Sequence, residues 1–229
     1  MKKNYLVSAF QKTAAERFPD QAERLSWALE KRMAELWEEN ADASPQERSH
    51  LESQIIPGIA AYQVLQTVLP KEEALSTLHG YVEERAWKLR KAILRLLRLP
   101  GFYRLVPGLF AKGTRKLFGP AAGFAAKELE VTKSVWRIDM TRCPYHDACV
   151  RYGCPELCPS FCDSDDITYG GLHPRLLWHR TETLGRGGGR CDFCLRLREP
   201  PPKKGAIPHA GDHPGRGRHR RHRPCLRLL

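Results

Sequence analysis

The 229-residue sequence predicts an α+β fold: a helical N-terminal half packed on a small, mostly antiparallel sheet, with a disordered basic tail at the C-terminus. Three observations carry this reading. Apolar residues recur at three- and four-residue steps through the first hundred positions. From Glu128 the pattern changes to alternation rich in β-branched and aromatic residues. After Leu197 periodicity stops, and Pro, Gly, Arg and His dominate. The expected boundaries are 1–127 for the helical region, 128–197 for a Cys-rich α+β core and 198–229 for the tail. The length suits one domain with appendages and allows a real hydrophobic core.

Residues 1–40 read as helical, with Leu25, Ala28, Leu29, Met33 and Leu36 on one face. The stretch ADASPQE ends that pattern and starts another helix. Ser44 is a natural N-cap, Pro45 fits the first helical position and Glu47 completes a capping box. This helix is expected to run to Ile56, where Pro57-Gly58 interrupts it. Ile59 to Leu69 predicts an apolar helix ended by Pro70, and Lys71 to Leu99 a long helix stopped by Pro100-Gly101. Between Arg85 and Lys116 there are ten basic residues and no acidic one. Lys88, Lys91, Arg95 and Arg98 form a stripe at helical spacing, with Leu89, Ile93, Leu96 and Leu97 as the opposing apolar face. Two readings stay open: a helix packed on the core with a solvated basic face, or a surface for acidic ligands or membrane headgroups. Gly101 to Gly123 reads as a Gly/Pro-punctuated connection anchored by Phe102, Tyr103, Leu109, Phe110 and Phe118.

VTKSVWRIDMTRC, Val131 to Cys143, alternates as a strand does, and a short helix follows over Tyr145 to Tyr152. RLLWHRTETL, Arg175 to Leu184, predicts a second strand with Leu177, His179, Thr181 and Thr183 on one face. GRGGGR is a turn and CDFCLRL, Cys191 to Leu197, a third short strand.

The net charge is +12, but from Arg196 onward ten Lys/Arg face only Glu199 and Asp212, so the tail holds +8 of it. Charge concentrated in a tail says little about the folded body. RGRHRRHR can attract polyanions nonspecifically, or be an inert extension; no specific nucleic-acid partner is expected. The N-terminal apolar patch is too short for a signal-peptide core, and no apolar run approaches the length of a membrane span. A cytoplasmic location is therefore expected. There thiols stay reduced, and clustered cysteines serve metals or chemistry more often than disulfides.

Five of the eight cysteines fall within CPYHDACVRYGCPELCPSFC, Cys143 to Cys162, separated by five, four, three and three residues. That cluster holds no CxxC; the one CxxC is Cys191 to Cys194. Spacing therefore does not match a zinc ribbon, although a zinc site from Cys143, His146, Cys162 and Cys191 stays geometrically open, as does a disulfide framework. The third reading is a pocket. Cys162 is followed by Asp163, Asp165 and Asp166; Arg180 is flanked by Thr181 and Thr183; Cys191 precedes Asp192. Converging, these would supply a nucleophile or base, an arginine fork for a carboxylate and hydroxyl donors. Cys225, in the tail, joins no recognisable site.

The ordered set C-P-Y (Cys143 to Tyr145), G-C-P-E-L (Gly153 to Leu157), F-C-x-x-D (Phe161 to Asp165), H-P (His173-Pro174), R-T-E-T (Arg180 to Thr183) and G-G-G-R-C-D-F (Gly187 to Phe193) resembles the L-2-amino-thiazoline-4-carboxylic acid hydrolase family. The resemblance is strongest over residues 135–193. It implies a hydrolase opening a cyclic amidine-like C–N bond in a small carboxylated heterocycle, giving a carbamoyl-cysteine on the way to cysteine. Carried onto this chain it implies Cys162, Asp165 and Cys191 as catalytic residues, with Asp165 the base and either thiol a nucleophile or metal ligand. Arg180 would hold the substrate carboxylate, and Thr181, Thr183 and Asp192 complete the substrate site. No cofactor is required; if a divalent metal is bound, Cys143, Cys162 and Cys191 are its expected ligands. Cys149, Cys154 and Cys158 fall at positions expected to vary. The Pro/Arg/His-rich extension departs from the family's pattern. A noncatalytic small-molecule or metal-binding sensor resembling 4-vinyl reductase-like domains is the alternative of another class.

Overall fold

The computed structural model describes residues 4–198. The expected disordered tail, with Cys225, lies outside the described residues apart from Arg198. The chain folds as α+β, as predicted. In place of one helix over residues 1–40 there are two, α1 (Tyr5–Arg17) and α2 (Ala22–Glu38). Asn4 caps the first by accepting from the amides of Leu6 and Val7. The break falls at Phe18, which the following Pro19 holds out of the α region at φ −136° and ψ 56°.

α3 (Pro45–His50) starts as the sequence predicts, with Ser44 Oγ accepting from the Glu47 amide at 3.1 Å. Pro57-Gly58 does not interrupt the helix. One wide π-helical turn, Leu51–Ile55, carries α3 into α4 (Ile56–Leu65), and this widened turn just before Pro57 accommodates a residue that cannot join a regular i→i−4 ladder. Every residue of α4 except Gln63 is buried, with α1, α2 and α5 (Lys71–Leu97) packed around it. Gly58 matters here: a Cβ would stand 2.7 Å from Phe161 Cζ, so glycine lets a later helix close on α4.

Two further helices were not legible as such. Gly101 to Gly123 contains α6 (Val106–Leu117). Pro107 sits harmlessly in its first turn, and Val106, Phe110 and Ala111 pack toward the sheet. α8 (Cys158–Tyr169) holds the F-C-x-x-D motif. Arg90 of α5 closes its C-terminal end by donating to the carbonyls of Ile167 and Gly170. The predicted helix at Tyr145 is α7 (Pro144–Arg151). Leu89 and Leu96, expected on an inward apolar face of α5, are exposed; Leu97 is buried.

The sheet has four antiparallel strands in the order β1-β2-β4-β3. The stretch read as one strand from Val131 is a hairpin of β1 (Ala125–Val131) and β2 (Val135–Arg142). AAKELEV hides β1 because Ala, Lys, Glu and Leu favour helix. β4 (Cys191–Leu197) is as predicted and lies inside the sheet, pairing with β2 and with β3 (Leu176–His179). Trp136, Ile138 and Met140 alternate inward along β2, opposite Leu195, Phe193 and Cys191. β3 is shorter than predicted: Arg180, Thr181 and Thr183 lie beyond its end. Asp192 draws the amides of Thr181 and Glu182 out of the ladder, at 2.8 Å each.

Candidate active site

α8 organises the site. Cys158, Cys162, Asp165 and Tyr169 follow one another at four-, three- and four-residue steps, so the helix carries all four on one side. The F-C-x-x-D motif therefore puts a thiol and a carboxylate one turn apart.

Asp165 opens into a cavity of about 320 Å³ between α6, α8 and the inner face of the sheet. Its walls are aromatic: Phe110, Trp136, Tyr169, Trp178 and Phe193. The Phe110 ring stands 4.8 Å from Tyr169 and 5.2 Å from Trp136, and Trp178 lies 5.8 Å from Phe193. No other carboxylate, and no Lys, Arg or His, lines the cavity among the described residues. The Asp165 side chain is 39% accessible, and what it meets is this apolar, partly open cavity. Desolvation among the apolar walls pushes its pKa up to about 7; Arg180 opposes the push and Asp166 adds to it.

Arg180 lies beneath this carboxylate, its side chain 3% accessible. It donates to Asp166 at 2.5 Å, to the Cys162 carbonyl at 2.9 Å and, at the longer distance of 3.4 Å, to Asp165. Its guanidinium carbon stands 5.2 Å from the Phe193 ring centre. Burial works against the Arg180 charge, and the two carboxylates more than offset it. The fork expected to hold a substrate carboxylate is thus occupied by the protein's own.

Asp192 fixes the chain that follows Arg180. It accepts from the Thr181 and Glu182 amides and from the Thr181 hydroxyl. Burial alone would raise its pKa, and these donors outweigh burial to leave it lowered. Thr183 Oγ1 is buried without a hydrogen-bond partner.

Among the described residues none of the thiols lines the cavity. Cys162 is next to Cys158, which in turn touches Cys149, which touches Cys154; the three cysteines expected to be extras thus extend a buried row from Cys162. Gly185 closes over this row, its missing Cβ 2.8 Å from Cys158 Sγ and 2.9 Å from Cys162 Sγ. The hydrogen bond that Cys162 gives Cys158, with burial, pushes the Cys162 thiol up. Cys158 accepts from both Cys149 and Cys162, and these bonds hold it below the usual range. Burial raises Cys191, although the Leu184 N–H donates to its sulfur at 3.3 Å. Burial also pushes Cys143, the N-cap of α7, up to about 12. All the described cysteines are free thiols. Among the described residues no three His, Cys, Asp or Glu side chains stand where they could share an ion. The metal set of Cys143, Cys162 and Cys191, with or without His146, is not assembled: the α8 thiols turn to one another instead.

Of the residues proposed from sequence, the fold gathers Asp165, Arg180 and Cys162 at one place and puts Thr181 with Asp192 beside them. The sequence names Asp166 in the pocket but gives it no role, and it does not show the aromatic walls. In the sequence Phe110 reads only as an anchor, and Tyr169 stands one helical turn after Asp165.

Fold and site define an α+β protein in which one carboxylate faces an aromatic cavity. A family model described as L-2-amino-thiazoline-4-carboxylic acid hydrolase matches residues 48–195, the stretch from α3 to β4 that builds every wall of that cavity. The chain belongs to this family, which is named as a hydrolase. No curated protein matches it.

Proposed function

We propose that the protein hydrolyses a C–N bond in a small cyclic amidine of the 2-amino-thiazoline-4-carboxylate type, with Asp165 as the base. The observation that carries this reading is the pairing of Asp165, its pKa about 7, with an aromatic cavity of ring-sized volume. A base works best when its pKa is near the working pH, because it is then both present in its basic form and able to accept a proton. Aromatic faces hold a flat heterocycle and favour the positive charge of an amidine. In the proposed reaction water adds to the ring carbon between sulfur and nitrogen, and Asp165 takes the water's proton. The bond from that carbon to the ring nitrogen then breaks as Asp165 returns the proton to the departing amine, while the added hydroxyl becomes the carbamoyl carbonyl and releases its proton to solvent. Arg180 is a positioning residue: it holds Asp165 and Asp166 rather than the substrate.

The test is incubation with 2-amino-thiazoline-4-carboxylate while following carbamoyl-cysteine by mass spectrometry. Asp165→Asn is expected to lower kcat/KM by about 10²–10⁴-fold, the range for a general base. Cys162→Ser and Cys191→Ser are expected to stay within about tenfold of the parent, since neither thiol reaches the cavity. Full activity in Asp165→Asn would overturn the assignment. Loss of all activity in a folded Cys162→Ser protein would move the reaction to the thiol.

A further inference from the structure

The outer side of α5 and α6 carries a surface that the catalytic proposal does not use. Of the ten large apolar side chains that are exposed among the described residues, seven lie between Trp87 and Leu117, each 45–59% accessible. Leu89, Ile93 and Leu96 follow at four- and three-residue steps and form one stripe on α5. Leu105, at the turn before α6, and Leu109 start a second stripe at four-residue spacing, which Leu117 continues two turns on. Ile93, Leu109 and Leu117 line the same cavity mouth, so the two stripes meet there. Scattered exposed leucines need no explanation, but a contiguous strip of them beside a cavity does.

Cations occupy the rest of this surface: Lys112 and Lys116 follow Leu105 and Leu109 along one side of α6, and the α5 cations lie on the face opposite Leu89 and Leu96. Lys91, Arg95 and Arg98 surround a shallow depression on α5. With Lys112 and Lys116 of α6 they are exposed or half-exposed. No acidic residue occurs between Arg85 and Lys116 to balance them. A face packed on another part of the fold would hide the leucines, and a merely solvated face would not carry them. Exposed leucines on one face, with Lys and Arg on the flanking and opposite faces, match a helix lying at the boundary between lipid headgroups and acyl chains. Among the described residues no helix is long and apolar enough to cross a membrane, so any contact of these helices would be peripheral.

We propose that the α5–α6 face docks on the surface of an anionic phospholipid bilayer. Lys91, Arg95, Arg98, Lys112 and Lys116 meet the headgroup phosphates, and Leu89, Leu96, Leu105 and Leu109 enter the interfacial layer. Docking sets the cavity mouth at that interface. This holds whether or not the cavity is catalytic, because it rests on surface residues alone.

The test uses the full chain, basic tail included, in co-sedimentation with vesicles of phosphatidylcholine alone or with about a third phosphatidylglycerol. The parent is expected to bind the anionic vesicles and to be released as salt rises from about 0.1 M to about 0.5 M. Leu96→Glu with Leu105→Glu is expected to lower the vesicle partition coefficient at least about tenfold, with the melting temperature kept. Lys91→Gln, Arg95→Gln and Arg98→Gln together are expected to lose the preference for phosphatidylglycerol. Parent-like binding by both variants would assign the affinity to the tail and overturn the proposal. So would a parent that ignores vesicles, whether it then binds duplex DNA or forms a dimer that the leucine variant dissociates.

Discussion

Asp165→Asn should make the protein more stable, and the gain should grow with pH. In the fold the Asp165 carboxyl is held at about 7 against an ordinary 3.8. Each pKa unit corresponds to about 1.4 kcal/mol, so the full displacement would be about 4 kcal/mol at alkaline pH. The side chain is 39% accessible, so its charge keeps part of its hydration and the expected share falls to about 1–2 kcal/mol. The sign follows from linkage: a raised carboxyl binds its proton more tightly folded than unfolded. Its stabilising contribution is complete below about pH 4 and is lost as pH rises through about 7. Asparagine carries no such dependence. It also leaves Arg180 with its short contact to Asp166 and its bond to the Cys162 carbonyl, so no buried cation is orphaned. Thermal melts of parent and variant from pH 4 to pH 9 should therefore start together and separate by about 2–8 °C above neutrality, the variant higher. A constant gap across that range, or a variant that melts lower at pH 9, would refute the argument. Such a result would mean that the cavity does not disfavour the carboxylate.

Asp192→Ala should cost about 1–2 kcal/mol in urea unfolding, because two backbone amides and the Thr181 hydroxyl lose a charged acceptor. Activity should fall with it, since the same bonds aim Arg180. Gly185→Ala should destabilise by about 1–3 kcal/mol, measured the same way, because its Cβ meets two sulfurs below 3.0 Å. Adding Cys158→Ala and Cys162→Ala should recover much of that loss, and additive effects would show that the crowding is elsewhere.

Much of the helical half was legible because periodicity and caps are local: Ser44 does what a serine side chain does at any helix start. β1 and α8 were not. AAKELEV has helix-favouring residues but is held as an edge strand by its pairing with β2. CPSFCDSDDITY is a weak helix former, and what makes it α8 is distant in sequence: Phe161 seated over Gly58 and Arg90 closing its end. The site was half legible for the same reason. F-C-x-x-D pointed to Asp165, yet the cavity needs α6 and three strands to converge, which no motif spells out. An arginine suited to a carboxylate was also visible in the sequence, but its partners in the fold are Asp165 and Asp166, fifteen and fourteen residues back in the chain.

That sharing of one guanidinium explains how a carboxylate beside an arginine stays near neutrality. Arg180 touches Asp166 at 2.5 Å and Asp165 only at 3.4 Å, while Trp178 Nε1 donates to the other Asp166 oxygen at 2.8 Å. Asp166 therefore takes most of the positive charge, and desolvation prevails at Asp165. An Asp165 paired alone with Arg180 would be held low and would be a poor base at neutral pH. Asp166→Asn tests this directly. It removes a like charge that raises Asp165, and it leaves Arg180 one carboxylate to serve. Both changes act in the same direction, so the acid limb of kcat/KM should move about one pH unit below its parent position near 7. The stability gain of Asp165→Asn should shrink in the Asp166→Asn background, by about the same share. An acid limb that stays in place, or moves upward, would show that Asp166 does not draw Arg180 away from Asp165.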